Sequence, residues 1–396
     1  MSEIYQRVTM ADVAKRAGVH TTTVSLALRN HPSLPDATRR RLQTLAEKMG
    51  YQPDPALRAL IAWRRQARPR KDAPTLAYLT HWETKWGWEK ASAQPRFFAG
   101  ATAKERMLGY KLEHFWLGEP LLTPQRMSGI LSARGITGVI VASFLPESGG
   151  LLALDWSRFS AVRIDYHPHE PELHTVTNDQ RAIIQLAMRR VVAAGYRRIG
   201  FVIPMWWDHF ANLAWSAGFL AEQQELPSAV RIPILRFDDA PPGGSVGITE
   251  FRGRLPRKAF EKWLQRYQPE VLISREEFVE PQLTELGLAV PRDIALVEIL
   301  LEPDGQTAGV RQNCVRVGEL AVEILAGQLQ QYIRGIPPFP TTTLVEGTWF
   351  DGKSLPPRHA PAAIVARSGS GGTRLQADVS RGRRLPAGSG RRSVLP

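Results

Sequence analysis

Three short amphipathic stretches open the chain, their apolar positions recurring at helical spacing. In Met10–Ala17 the apolar face is Val13, Ala14 and Ala17, and in Thr21–Leu28 it is Val24, Ala27 and Leu28. Over residues 36–49 it is Leu42, Leu45, Ala46 and Met49. Gly18 follows the first stretch where a helix end wants a left-handed residue, and Val19 packs behind it. Asp36 opens the third, where its charge suits the helix dipole, and Gly50 follows the last turn. None of the three is long or apolar enough to stand alone. The pattern predicts one small core shared by three helices.

A different rhythm takes over after residue 74. Short apolar runs at 75–79, 138–142, 160–164, 199–203, 271–273 and 294–297 read as strands. Helical patterns at 97–108, 125–133, 179–194, 211–224 and 256–268 lie between them. Such alternation predicts parallel sheets flanked by helices. About 280 residues are too many for one sheet of this kind, so two subdomains facing a cleft are expected. Between head and body, RRQARPRKDAP at 64–74 is basic, Pro-containing and free of large apolar side chains, and reads as a linker.

Charge sharpens this division. Residues 1–72 carry a net +8, residues 73–351 a net −3, and residues 352–396 a net +8. A basic head before a near-neutral body points to a nucleic-acid module, although solubilising charge explains the same numbers. A single cysteine, Cys314, excludes an internal disulfide and a cysteine-cluster metal site. The N-terminus lacks a basic stretch followed by an apolar one, and no run of 18 apolar residues occurs. A soluble cytoplasmic protein without membrane contact is therefore expected.

Two short helices joined by a glycine-containing turn predict a helix-turn-helix, whose second helix enters the DNA major groove. Here that helix opens with Thr21-Thr22-Thr23, whose hydroxyls can bond base edges and phosphates and whose methyls can touch thymine. The stretch VTMADVAKRAGVHTTTVSLALRN, followed by TRRRLQTLAEKMGYQPDPALRAL, resembles the lactose-repressor (LacI/GalR) family of bacterial transcription regulators. The resemblance rests on D-V-A at 12–14, A-G-V at 17–19, T-V-S at 23–25 and G-Y-x-P at 50–53. It implies DNA contacts from Thr9, Met10, Thr21, Thr22, Thr23, Ser25, Arg29, Asn30 and Tyr51. It also implies a hinge helix that folds on operator DNA, with Leu57 beside it and Leu60 as a minor-groove wedge. A buried interdomain leucine is the other reading of Leu60. Two departures stand out. His20 replaces the family's capping serine, so Thr21 or another group is expected to cap the second helix. Leu26 replaces an arginine that reads guanine, so the operator is expected to differ from the common family sequence.

The body resembles the same family more loosely, through AAGYRRIGFVI at 193–203, LGLAVPRDIALVEI at 286–299 and GVRQNCVRVGELAVEIL at 309–325. The resemblance implies a type I periplasmic-binding-protein-like body of two parallel-sheet subdomains, with crossings near residues 175, 310 and 338. The expected domains are a helix-turn-helix head at 1–54, hinge helix and linker at 55–74, an effector-binding and dimerisation body at 75–356, and a disordered basic tail at 357–396.

Ligands of such sheets sit outside the strand C-termini, between subdomains. Asp165, ending VRID, falls where sugar-binding relatives place a carboxylate. Trp215, Arg275 and Leu300 fall where they hold arginine, asparagine and aspartate, which speaks against a simple lactose-like ligand. Trp82, Trp86, Trp88 and Trp206, with Asp208, complete the effector candidates together with Asp165, Trp215 and Arg275; stacking on a ligand ring and packing in a core are both open for each tryptophan. The cluster His167, His169, Glu170 and His174 reads as a surface loop rather than a metal site, and no GxSxG, Walker or HExxH motif occurs. No enzyme, metal or cofactor is expected. Between Arg358 and Pro396, 22 of 39 residues are Arg, Gly, Ser or Pro, too polar to bury a core. The expected function is that of a homodimeric repressor of operator DNA answering to a small, sugar-like effector. A cytoplasmic solute sensor with altered or lost operator specificity is the alternative.

Overall fold

The computed structural model describes residues 8–28, 31, 33–51, 73–144, 152–166, 170–237 and 255–358. The candidates Arg29, Asn30, Leu57 and Leu60, the hinge, His167, His169 and the tail from residue 359 lie outside them.

The head consists of α1 (Met10–Ala17), α2 (Thr21–Leu28) and α3 (Asp36–Lys48). Val13, Ala14, Val24, Ala27, Leu42 and Ala46 form its core, with Val19, Leu28, Met49 and Tyr51 packed around them. Gly18 has φ +68 and ends α1 in the left-handed region, its N–H bonding back to the last turn. Val19 N–H then reaches Ala14 O at 3.1 Å, turning the chain into α2.

In the first subdomain of the body, the chain runs β1 (Thr75–His81), α4 (Gln94–Leu108), β2 (Lys111–Trp116), α5 (Pro124–Ala133), β3 (Gly138–Phe144), β4 (Ser160–Ile164) and β5 (His174–Asn178). It then builds the second with α6 (Gln180–Ala193), β6 (Ile199–Pro204), α7 (Met205–Phe210), α8 (Ala214–Gln223), β7 (Leu235–Phe237), α9 (Arg257–Tyr267), β8 (Val271–Ser274), α10 (Glu276–Glu285), β9 (Ala295–Glu298) and β10 (Gly309–Arg311). Helix α11 (Cys314–Gln331) and β11 (Thr342–Val345) return to the first subdomain, and β12 (Thr348–Phe350) ends in the second.

Each sheet has six strands, ordered β11-β5-β4-β3-β1-β2 and β12-β10-β9-β8-β6-β7. Neighbouring strands among the described residues run parallel, except β10 with β12. Central strands such as β4 and β6 are buried along their whole length, as parallel strands covered by helices on both faces must be. Helices α4 and α11 cover one face of the first sheet and meet at two glycines. A Cβ on Gly100 would sit 1.9 Å from Val315 O, and one on Gly318 2.0 Å from Phe97 O.

Three crossings join the subdomains, after β5, after β10 and between β11 and β12. The third lies at residues 346–347, not near 338, because β11 first pairs with β5 before the chain leaves. The helix expected over 211–224 is present as α8, beginning three residues later, at Ala214. Asn212 and Leu213, at φ +52 and +58, turn the chain between the short α7, which carries Trp206 and Trp207, and α8, which carries Trp215.

Candidate nucleic-acid interface and effector cleft

The DNA-facing candidates are placed by caps. Thr9 caps α1: its Oγ1 accepts from Asp12 N–H at 3.3 Å, and the Asp12 carboxylate accepts from Thr9 N–H at 2.8 Å. These bonds to Thr9 hold the Asp12 carboxyl below its ordinary range. Thr9 is therefore engaged in the cap, and Met10 follows at the first helical position. On α2, Val24 and Ala27 are buried and Thr22 is exposed, while Thr21, Thr23 and Ser25 are partly covered.

The cap of α2 corrects the expectation. His20 does the work of the family's serine: its Nδ1 accepts from Thr22 N–H at 3.3 Å and lies 2.9 Å from Thr22 Oγ1. His20 O accepts from Thr23 N–H at 2.9 Å. At the other end of α2, Gln43 Nε2 donates to Ala27 O at 2.9 Å, tying the helix to α3. Tyr51 N–H reaches Ala46 O at 2.9 Å and holds the exit of the head against its core. Arg16, Arg40, Arg41 and Lys48 line a basic groove on the flank of α3 next to α1, where Arg41 donates to Ala17 O at 3.2 Å.

In the first subdomain, Asp165 stands just past β4 with φ +70. Its Oδ1 accepts from Tyr166 N–H at 2.9 Å and Thr177 Oγ1 at 3.2 Å. Burial pushes its carboxyl up to about 6 against the pull of those two bonds. Next to it, Asn178 Nδ2 points at the Cys314 sulfur at 3.6 Å, and burial pushes that thiol up to about 11, as in an inert core cysteine. Trp82 and Trp88 pack together as a buried pair, and Trp86 is 50% exposed.

In the second subdomain, Trp215 is fully buried and its ring lies 5.1 Å from Trp207, inside the main core. Asp208 is also fully buried; it accepts from Ser216 N–H at 3.1 Å and Arg236 Nε at 3.2 Å, and so orders α7 against α8 and β7. Trp206 is partly buried at the start of α7. Arg275, at the end of β8, lies 3.2 Å from Glu298 and 3.4 Å from Glu277. Burial raises the Glu298 carboxyl despite Arg275 beside it. Across the subdomains, Arg96 on α4 reaches Glu302 after β9 at 3.5 Å.

Asp165, Asn178 and Cys314 thus come together, and Asp208 with Trp215 form a packed unit of their own. Sequence reading passed over Tyr78, Arg96, His114, Asn178 and Glu302. Tyr78 left one signal, a hydroxyl inside the otherwise apolar run of β1. His114 left none, because β2 was not foreseen as a strand. Among the described residues no group of three His, Cys, Asp or Glu side chains gathers for a metal, and no helix is long and apolar enough to cross a membrane.

Residues 9–54 match the family model described as bacterial regulatory proteins, lacI family. Among solved structures the chain resembles a transcriptional regulator CelR–cellobiose complex, at 17% identity over 88% of this chain and 100% of that one, TM-score 0.51. It resembles a putative transcriptional regulator of the LacI family from Rhizobium etli at 17% identity, over 72% and 100%, TM-score 0.52. Transcription regulator CcpA of Lactococcus lactis gives 12%, 72% and 100%, with TM-score 0.50. Curated protein sequences give no match. The head thus matches the model of bacterial regulatory proteins of the lacI family over residues 9–54, and the body has the fold of these solved regulators.

Proposed function

We propose that the chain is a homodimeric, sequence-specific DNA-binding repressor acting in the cytoplasm, without catalytic activity. Its operator affinity is set by a small, sugar-like effector held between the two subdomains. The observation that carries this reading is α2, capped by His20 and tied down by Gln43, presenting Thr22 from a head that matches the lacI model. One head is too small for specificity; a two-fold dimer reads two half-sites. Thr21, Thr22, Thr23 and Ser25 then face base edges, with Thr9, Met10, Arg29, Asn30 and Tyr51 on the flanking backbone. Leu57 and Leu60 pair at the dyad, and Leu60 enters a base step.

The effector lies on the cleft side of Asp165, with Trp86 and Trp206 as stacking faces and Arg275 facing from the second subdomain. Trp82, Trp88, Asp208 and Trp215 support those walls from behind. The cellobiose of the CelR–cellobiose complex supports a sugar as the ligand class. A ligand acts by favouring one body geometry over another, which changes the spacing of the two heads. Genome-wide footprinting of the full chain tests the proposal. Discrete, near-palindromic sites upstream of genes are expected; uniform coverage of the genome would overturn it.

A further inference from the structure

His20 and Thr22 act as one unit at the front of α2, and their bonds fix where the protons lie. Thr22 N–H reaches His20 Nδ1 at 3.3 Å, and a backbone N–H can only donate. Nδ1 is therefore the bare nitrogen, since a proton there would set two donors against each other. The ring proton sits on Nε2. Thr22 Oγ1 lies 2.9 Å from the same bare Nδ1, so its hydroxyl donates to the ring. The pairing is local and repeats in the turn ahead of α3. There His31 Nδ1 accepts from Ser33 N–H at 3.2 Å and lies 2.7 Å from Ser33 Oγ.

The direction of that hydroxyl decides what it can read. A free threonine hydroxyl rotates, so it donates to a base carbonyl as readily as it accepts from a base amino group. With its proton committed to His20, Thr22 keeps only lone pairs for the groove. Those match the amino groups that the major groove presents, N6 of adenine and N4 of cytosine. They do not match O6 or N7 of guanine, or O4 of thymine. Val24 and Ala27 are buried and Gln43 bonds Ala27 O at 2.9 Å, so α2 is held in one rotation about its axis. Among its hydroxyl residues Thr22 is exposed, while Thr21, Thr23 and Ser25 are partly covered. Leu26 adds no polar group to the same helix.

We infer, on the reading of α2 as the helix that enters the major groove, that His20 is a positioning residue for base recognition. It turns Thr22 from a two-way reader into an acceptor that selects a base amino group. Serine at this position also caps a helix. Its own hydroxyl both donates and accepts, however, so it fixes no direction for Thr22.

The test begins with selection of duplexes from a random library by the full chain, by Thr22→Val and by His20→Ser. Valine keeps the shape of threonine without the hydroxyl, and serine keeps a cap. The base pair whose preference disappears in Thr22→Val is the one Thr22 reads. Anisotropy titrations then use the selected duplex with the major-groove amino group of that pair removed, purine replacing adenine or pyrimidin-2-one replacing cytosine. The wild type should lose at least about tenfold in affinity and Thr22→Val less than about twofold. A second duplex changes A·T to G·C, or C·G to T·A, and so puts a carbonyl oxygen where the amino nitrogen was. The wild type should reject it at least about tenfold and His20→Ser no more than about threefold. His31→Ser, which removes the same pairing from a turn outside α2, should reject it as the wild type does. Wild-type affinity that ignores loss of the amino group overturns the acceptor assignment. Equal rejection of the second duplex by the wild type and His20→Ser, or relaxed rejection by His31→Ser, overturns the role of His20. Selection of no sequence by the wild type overturns the reading of α2 together with this inference.

Discussion

Asp165→Asn should make the ligand-free protein more stable while removing its effector response. The carboxyl titrates near 6 in the fold against an ordinary 3.8, because burial outweighs its two hydrogen bonds. A group whose folded pKa is raised favours folding fully below its unfolded value, and that contribution is lost as pH rises through 6. The difference of about two units corresponds to about 3 kcal/mol against the fold at pH 7.5, and partial exposure reduces this to about 1–3 kcal/mol. Asparagine tolerates the left-handed backbone at φ +70 and can accept the same bonds from Tyr166 N–H and Thr177 Oγ1. Urea denaturation of the full chain, followed by tryptophan emission, should show the gain at pH 7.5 and about half a kcal/mol or less at pH 4. Equal stabilisation at both pH values, or a loss at pH 7.5, would rule out a buried carboxylate as the cause, since neither follows from one. A charge kept at such a cost fits a residue held ready for a ligand.

Three further outcomes follow from the head and the helix contacts. Thr22→Ala should weaken operator binding by about 1–3 kcal/mol while leaving affinity for random duplex unchanged in a fluorescence anisotropy titration; equal losses would remove Thr22 from base readout. Gly18→Ala puts a side chain at φ +68, a cost of about 1–2 kcal/mol. Amide exchange in α1 and α2 should quicken while the body stays protected, and unchanged exchange would contradict that turn. Gly100→Ala would drive a Cβ into Val315 O and should destabilise the body by about 1–3 kcal/mol in the same urea assay; wild-type stability would show that α4 and α11 do not cross there.

Elements with strong local signals were legible in the residues themselves. The central strands showed because a parallel strand covered on both faces must be apolar throughout, as in β4 and β6. Edge strands carry no such run. KLEHFW in β2 mixes charged and apolar residues, and TTLV in β11 is exposed at alternate positions. The His20 cap was missed because imidazole is not among the usual capping side chains, although its Nδ1 reaches the same N–H. Asp165 was singled out by the resemblance to sugar-binding relatives, at the end of a strand, but the burial that shifts its carboxyl comes from the surrounding fold. The cluster of packed rings around His114 depends on pairing between β1 and β2 and on packing against α4. Contacts of that range leave no periodic trace in a sequence.

Everything proposed for this chain depends on its head reading a DNA sequence. The decisive experiment is selection of bound duplexes from a random library by the full chain, then anisotropy of the selected and a scrambled duplex at about 0.15 M salt. A near-palindrome of two half-sites should emerge, bound at least about 10³-fold more tightly than the scrambled duplex. No enriched sequence, with equal affinity for both duplexes, would contradict sequence reading by this head.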